Sequence, residues 1–181
     1  MEIDLANAQT VTAGELAEQA RQLSPDRFVA RNPGPWLVAL GDAHASSDSG
    51  RFVTVAESER QSTPSDMRIG AAARVWPVAK RTATFPSKIL VGRAANNDVV
   101  LPYPSLSKLH AFFALDGGRL TLTDAGSKNG TFVNDQPVPA TGAVAVADHD
   151  VVRFGATMRV AVLSGEAFYD AARAGLVGLR R

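Results

Sequence analysis

The sequence predicts a mainly β protein flanked by short helices, and three observations carry that prediction. From about Arg74 onward, short apolar runs are separated by turn residues at intervals of about 8 to 12 residues, the texture of a sandwich or barrel. Within that stretch Arg119-Leu120-Thr121-Leu122-Thr123 alternates leucine with polar residues at period two, as a half-buried strand requires. Helix signals are confined to the two ends of the chain.

The first helix is signalled by Thr12-Ala13-Gly14-Glu15, a capping box in which Thr12 accepts from the Glu15 amide and the Glu15 side chain reaches back. Leu16, Ala20 and Leu23 then supply an apolar stripe at helical spacing. Ser24-Pro25-Asp26 reads as a second N-cap with proline at its first helical position, and Asn32-Pro33-Gly34-Pro35 ends that helix. Trp36 to Leu40 is a brief apolar run with the signature of a buried strand, and Phe52 to Val55 is a second candidate. Gly41 to Gly50 and Glu57 to Asp66 are polar and read as loops or linkers.

The β series continues with Arg74–Ala79, Lys88–Val91, Asp98–Leu101 and His110–Leu115, and Asp116-Gly117-Gly118 makes a hairpin into Arg119–Thr123. Thr131–Val133, Asp150–Phe154 and Thr157–Leu163 complete it, the last with Met158, Val160 and Val162 on one face. Ser164-Gly165-Glu166 caps a closing helix through about Arg173, ended by Gly175. The organisation expected is a helical segment over 1–34, a strand and loop extension or linker over 35–72, a β-sandwich over 73–163 and a C-terminal helix over 164–181.

Composition bounds the function. The chain has 181 residues, 45% hydrophobic and 20% charged, close to the average for folded soluble domains, so wholesale disorder and coiled-coil architectures are excluded. It has no cysteine, which removes disulfide frameworks, thiolate zinc sites and thiol nucleophiles. With neither a basic and apolar leader nor an apolar run near the ~18 residues of a membrane span, a cytoplasmic location and no membrane partner are expected. Net charge is +1 overall, but residues 1–72 sum to −4 and residues 73–181 to +5. The basic part points to an anionic ligand and is too weakly charged for a nonspecific nucleic-acid binder.

Three loop clusters on this β body carry the chemistry. They are Gly92-Arg93-Ala94-Ala95-Asn96-Asn97-Asp98 after a strand, Ser107-Lys108-Leu109-His110 before one, and Gly126-Ser127-Lys128-Asn129-Gly130-Thr131-Phe132-Val133-Asn134 leading into another. An arginine fork, two lysine ammoniums, a hydroxyl and an amide match a dianion with three acceptor oxygens.

Gly-Arg with Asn-Asp following, then Ser-x-x-His, then Asn-Gly-Thr with an asparagine three residues past the threonine, resembles in its order the forkhead-associated (FHA) domain, over about Val75 to Leu163. The resemblance implies an eleven-stranded β-sandwich that binds phosphothreonine peptides at one end. It also implies that Arg93 holds the phosphate, that Ser107 donates its hydroxyl to it, and that Lys108 and Lys128 add charge nearby. Asn129 and Asn134 would bind the peptide main chain, while Gly92, His110 and Gly130 would be structural, His110 as a buried imidazole tying the loops together. The chain departs from the family pattern at Asp135 and His149, where glycine is common; both lie in turns, and both residue types tolerate positive φ better than most.

Bland readings prevail elsewhere. His44 and His149 have no second ligand at metal spacing, so no metal site is expected. Asp42, His44 and Ser46 lack a nucleophile elbow, and neither a Walker sequence nor a dinucleotide fingerprint occurs. Trp36 and Trp76 are expected to pack. The function expected is therefore a non-catalytic reader, without cofactor, of phosphothreonine-containing proteins in a Ser/Thr kinase pathway. The alternative is a phosphate-independent scaffold subunit using the same loop face, and an enzymatic N-terminal segment, the third possibility, lacks any motif. Thr63, in Thr63-Pro64-Ser65-Asp66, is a candidate internal phosphothreonine ligand.

Overall fold

A computed structural model describes residues 11–40 and 69–175 of the chain. The expected strand at Phe52–Val55, the polar stretches 41–50 and 57–66, the Asp42, His44 and Ser46 grouping and Thr63 all lie outside the described residues.

The first elements are a two-residue strand β1 (Val11–Thr12), helix α1 (Ala13–Gln22), helix α2 (Pro25–Arg31) and strand β2 (Trp36–Ala39). Strands β3 (Arg74–Pro77), β4 (Ile89–Gly92), β5 (Val99–Val100), β6 (Ala111–Asp116) and β7 (Arg119–Asp124) follow. Then come β8 (Thr131–Val133), β9 (Gln136–Pro137), β10 (Val144–Val146), β11 (Val151–Phe154) and β12 (Met158–Leu163), and α3 (Gly165–Arg173) closes the series. They form a seven-stranded sheet ordered β1-β3-β2-β12-β11-β8-β9 and a five-stranded sheet ordered β10-β7-β6-β4-β5. All pairings are antiparallel except β4 with β5.

The fold is thus the expected mainly β sandwich with helices at either end of the sequence, with twelve strands among the described residues where eleven were expected. Short strands account for the difference in detail. β1, β9 and β10 are two or three residues long, too short to show an alternating pattern.

Two apolar cores lie on opposite faces of the larger sheet. Leu37, Ala39, Trp76, Val152, Phe154, Met158, Val160 and Val162 face the five-stranded sheet, where they meet Val91, Phe113 and Leu122. Their chain neighbours Trp36, Val38, Leu40, Val75, Val151, Ala161 and Leu163 face the other way, onto Leu16, Phe28 and Phe168 of the helices. Side chains alternate across a strand, so a sheet covered on both faces needs continuous apolar runs. Trp36-Leu37-Val38-Ala39 is such a run, and all four residues are buried. β2 is an interior strand, paired with β3 on one side and with β12 on the other.

The helices are held by local chemistry as well as by packing. Thr12 Oγ1 accepts from the Glu15 amide at 3.3 Å, and Glu15 Oε2 accepts from the Thr12 amide at 2.7 Å, completing the capping box. Ser164 caps α3 by accepting from the Ala167 amide, whereas Ser24 makes no side-chain cap bond and α2 relies on Pro25 in its first turn. Phe28 stacks on Phe168 with ring centroids 6.3 Å apart, joining α2 to α3, and the Tyr169 hydroxyl donates to the Leu23 carbonyl at the end of α1. No helix among the described residues is long and apolar enough to cross a membrane.

Asp98 fixes the connection between β3 and β4. Its buried carboxylate accepts from Lys80 Nζ and from the backbone amides of Arg81, Thr82 and Leu90, at 2.7 to 2.8 Å. Burial pushes this carboxyl up, but the Lys80 ammonium and the three amides outweigh it and hold the pKa at about 2, against an ordinary 3.8.

Two predictions follow from this architecture. A depressed carboxylate pKa contributes stability that is complete above the unfolded value and lost as pH falls through the folded one, so Asp98 contributes about 2 kcal/mol above pH ~4 that disappears towards pH ~2. Denaturant titrations at stepped pH should show this slope in the native sequence and not in Asp98→Asn, which should also lose about 2 to 4 kcal/mol at neutral pH because it leaves Lys80 unpaired. The fragment 73–181 should fail to melt cooperatively in calorimetry. It lacks the buried Trp36, Leu37 and Val38, whose burial is worth about 5 to 9 kcal/mol, comparable to the whole stability of a small domain.

Candidate functional site

Three loops meet at one end of the sandwich, and backbone hydrogen bonds bring them together. The Arg93 and Ala94 amides donate to the Ser107 and Lys108 carbonyls, at 3.0 and 3.1 Å. Asn97 Nδ2 donates to the carbonyls of both Ala94 and Lys108, closing the 93–98 loop onto the 107–110 segment. Gly92 permits this approach: a Cβ there would collide with the Lys108 carbonyl oxygen and lie 3.0 Å from the His110 amide nitrogen.

His110 is fully buried and joins the second loop to the third. The Ser107 amide donates to its Nδ1 at 3.1 Å, and its Nε2 lies 3.1 Å from the Gly130 carbonyl oxygen. A backbone amide can only donate, so Nδ1 is the unprotonated nitrogen and Nε2 carries the hydrogen given to Gly130. His110 is therefore the neutral Nε2-protonated tautomer, and its ring meets the Phe154 ring edge-on with centroids 5.7 Å apart. Gly130, at φ +76°, turns the chain into β8 from a conformation that a side chain would strain.

The third loop is shaped by Asp124 at the end of β7. Its Oδ1 accepts from the Gly126 and Ser127 amides, and its Oδ2 accepts from the Ser127 hydroxyl and, at 2.5 Å, from the Thr131 hydroxyl. Burial raises the pKa of this carboxyl, and those four donors reverse the effect and hold it below the ordinary value.

On this frame the polar groups stand ready for an anion. Arg93 is exposed, and its Nε donates to the Leu106 carbonyl at 3.1 Å, which anchors the guanidinium and leaves the two terminal NH2 groups to bind. Ser107 Oγ accepts from the Lys128 amide at 3.1 Å, so its own hydrogen is free to point elsewhere. Lys108 and Lys128 are exposed; Lys108 follows Ser107 in the chain, and the Lys128 backbone is brought to it by the amide bond just given. Asn129 Nδ2 donates to the Ser105 carbonyl at 2.8 Å, and its side-chain oxygen has no partner among the described residues.

Asn134 does not join this group. It lies just past the far end of β8, about 13 Å along the strand from Gly130. Its Nδ2 donates to Asp150 at 2.7 Å, and its Oδ1 accepts from the Val151 amide at 3.0 Å, so both ends of the amide hold the neighbouring turn. Asp135 and His149, at the glycine-like positions, stand at φ +63° and +68°. Asn97, Asp98 and Asp124 position the loops, yet sequence reasoning assigned them no role. Asp124 was signalled by Asp-Ala-Gly-Ser after a strand, the pattern of an aspartate that accepts amides from the turn it begins.

A model of the FHA domain family matches residues 89–155, a span that contains all three loops. The glycogen accumulation regulator GarA of Mycolicibacterium smegmatis is 38% identical over 95 residues, 49% of this chain and 58% of that protein. GarA of Mycobacterium tuberculosis is 35% identical over 95 residues, 49% of this chain and 56% of its own length. The chain thus spans little more than half of these relatives. Among solved structures, the FHA domain of the CT664 protein from Chlamydia trachomatis superposes with a TM-score of 0.45 at 19% identity, covering 72% of this chain and 98% of that one. The family match falls on the strands and loops just described, so it is residues 89–155 that carry the likeness to the FHA domain family.

Proposed function

We propose that the loop end of the sandwich binds phosphothreonine in partner proteins modified by a Ser/Thr kinase, as a non-catalytic recruiting module acting in the cytoplasm. The observation that carries this is the state of the donors on the 93–98, 105–110 and 126–130 loops. Arg93 is anchored through Nε with its terminal nitrogens unengaged, and the Ser107 oxygen is already satisfied as an acceptor, so its hydroxyl is left to donate. Two exposed lysines stand beside that hydroxyl, Lys108 next to it in the chain and Lys128 through its own amide. A phosphate dianion has three acceptor oxygens for such a set, and Arg supplies a fork that Lys cannot. Asn129, holding Ser105 through Nδ2, offers its side-chain oxygen to a peptide amide.

Within this reading, Gly92, His110 and Gly130 keep the donors in place without touching the ligand. Asn134 belongs with them as a turn residue rather than with Asn129.

Replacing Arg93 with alanine should weaken phosphopeptide binding by about 2 to 4 kcal/mol, roughly thirtyfold to a thousandfold, with normal circular dichroism. Lysine at that position should restore part of the loss. Titration of Arg93→Ala with a phosphothreonine peptide checks this, and binding unchanged within about threefold would remove Arg93 from the site. Matched peptides carrying phosphothreonine, phosphoserine, glutamate and plain threonine should rank in that order in fluorescence anisotropy. A carboxylate has too few oxygens and too little charge, and a buried methyl is worth about tenfold to two-hundredfold. Equal affinity with and without phosphate would instead favour the phosphate-independent scaffold.

A further inference from the structure

The helical cover of the larger sheet has an outer surface that the sandwich does not use. Helices α2 and α3 lie side by side on it in opposite directions: Asn32, at the end of α2, lies against Gly165 at the start of α3, and Phe28 stacks on Phe168. Between them runs an open groove of about 490 Å³, within the range of about 300 to 1,000 Å³ found for ligand clefts. Val29, Ala30 and Tyr169 give it apolar walls, and Val29 and Tyr169 are packed against the core beneath. The Tyr169 hydroxyl is engaged with the Leu23 carbonyl, which holds the ring in place.

Three carboxylates line the same groove, those of Asp26, Glu166 and Asp170, and all three residues are exposed. Among the described residues no cation forms an ion pair with any of them. Arg27 and Arg31, also on α2, do not line the groove. Asp26 and Glu166 have a local reason to be acidic, because each stands in the first turn of its helix, where a carboxylate complements the dipole. Asp170 has no such reason. It follows Glu166 by four residues, the spacing at which like charges on a helix repel. Helix α3 thus keeps an unfavourable pair on a face that is both open and partly apolar, and a bound cation relieves it.

The lining narrows the chemistry of the occupant. No group of acidic or histidine side chains among the described residues is placed to hold a metal ion, and a bare cation leaves the apolar walls uncovered. Nucleic acid and anionic membrane surfaces carry the wrong sign. A segment that offers aliphatic and cationic side chains together fits both parts of the groove. A helix does so on one face, packs against two antiparallel helices at once, and places Lys or Arg four residues apart at a rise of about 6 Å, the rise that separates Glu166 from Asp170.

We propose that the groove between α2 and α3 docks a basic amphipathic helix of a partner protein, its aliphatic side chains against Val29, Ala30 and Tyr169 and its cations against Asp26, Glu166 and Asp170. The contact needs no phosphate and is remote from the three loops. Strand β12 starts next to the Gly155 turn, which lies against Asn129, and runs away from it, so α3 begins at the opposite end of the sheet. The inference therefore stands apart from phosphothreonine recognition.

The test uses the full, isotope-labelled chain and a synthetic helical peptide of about 14 residues, with leucine at every third or fourth position and arginine beside it. Amide shifts should move saturably at Val29, Ala30, Tyr169 and Asp170, and a matched peptide with glutamate for arginine should bind about tenfold more weakly or not at all. Glu166→Gln combined with Asp170→Asn should weaken the arginine peptide about three- to tenfold, and added salt should weaken it in the native chain. Ala30→Arg, at an exposed position where folding is spared, puts a long cationic side chain into the groove and should remove most of the binding. No saturable shift, shifts confined to another surface, equal binding of the glutamate peptide, or an affinity that neither variant changes overturns the inference. Binding that appears only when residues 176–181, Leu-Val-Gly-Leu-Arg-Arg, are removed assigns the groove to the chain's own tail and overturns the partner. Titration with a phosphothreonine peptide reads the loops separately, so either reading can fail without the other.

Discussion

The loop end of this sandwich depends on one neutral imidazole. His110 accepts from the Ser107 amide with one nitrogen and donates to the Gly130 carbonyl with the other, so a single buried ring sets the spacing between the loop that carries Ser107 and Lys108 and the loop that carries Lys128 and Asn129. A doubly protonated ring could not accept from Ser107, and an aliphatic side chain could do neither job. The cost of leaving a buried amide or carbonyl without a partner, about 1 to 3 kcal/mol, makes the bridge a constraint on loop geometry as well as a contribution to stability. Gly92 and Asn97 complete it from the first loop, by allowing and then fastening the approach of the 107–110 backbone.

The same economy appears in two carboxylates, the buried Asp98 and the half-buried Asp124. Asp98 and Asp124 each gather four donors, Asp98 from the β3–β4 connection and β4 itself, Asp124 from the turn that leads into β8. Loops at the end of a sandwich cannot satisfy their amides in a ladder, and an aspartate that accepts several of them replaces the missing strand. The exposed cations are thereby presented by a backbone that is already organised, which would lower the ordering cost of the binding proposed for them.

The larger sheet does a different task on each face. Its inner residues complete the sandwich, while its outer residues receive α1, α2 and α3, so that the N-terminal segment and the C-terminal helix meet over β2, β3 and β12. Where the helical cover stops, towards the recognition loops, the outer face changes from Ala161 and Leu163 to Arg159 and Arg153. The cations of residues 73–181 thus include the exposed Arg93, Lys108 and Lys128 of the loops as well as this row.

The sequence by itself determined every feature that one short window encodes. The capping box at Thr12, the proline-started α2, the alternating Arg119–Asp124 strand and the order of the three loop motifs all rest on interactions within a few residues, and each occupies its place in the fold. Only the tertiary structure decided what long-range pairing controls. The run 36–39 is equally compatible with an edge or an interior strand, and its place between β3 and β12 depends on partners 37 to 127 positions away, from Val38 with Val75 to Trp36 with Leu163. Asn129 and Asn134 look alike in sequence, five positions apart, yet the strand between them carries one to the loop end and fastens the other to Asp150. The Arg153–Arg159 row exists because a hairpin places both side chains opposite each other, with Phe132 added by a third strand. Side-chain chemistry is written residue by residue, but which side chains share a face is settled by register, and register is a property of the whole sheet.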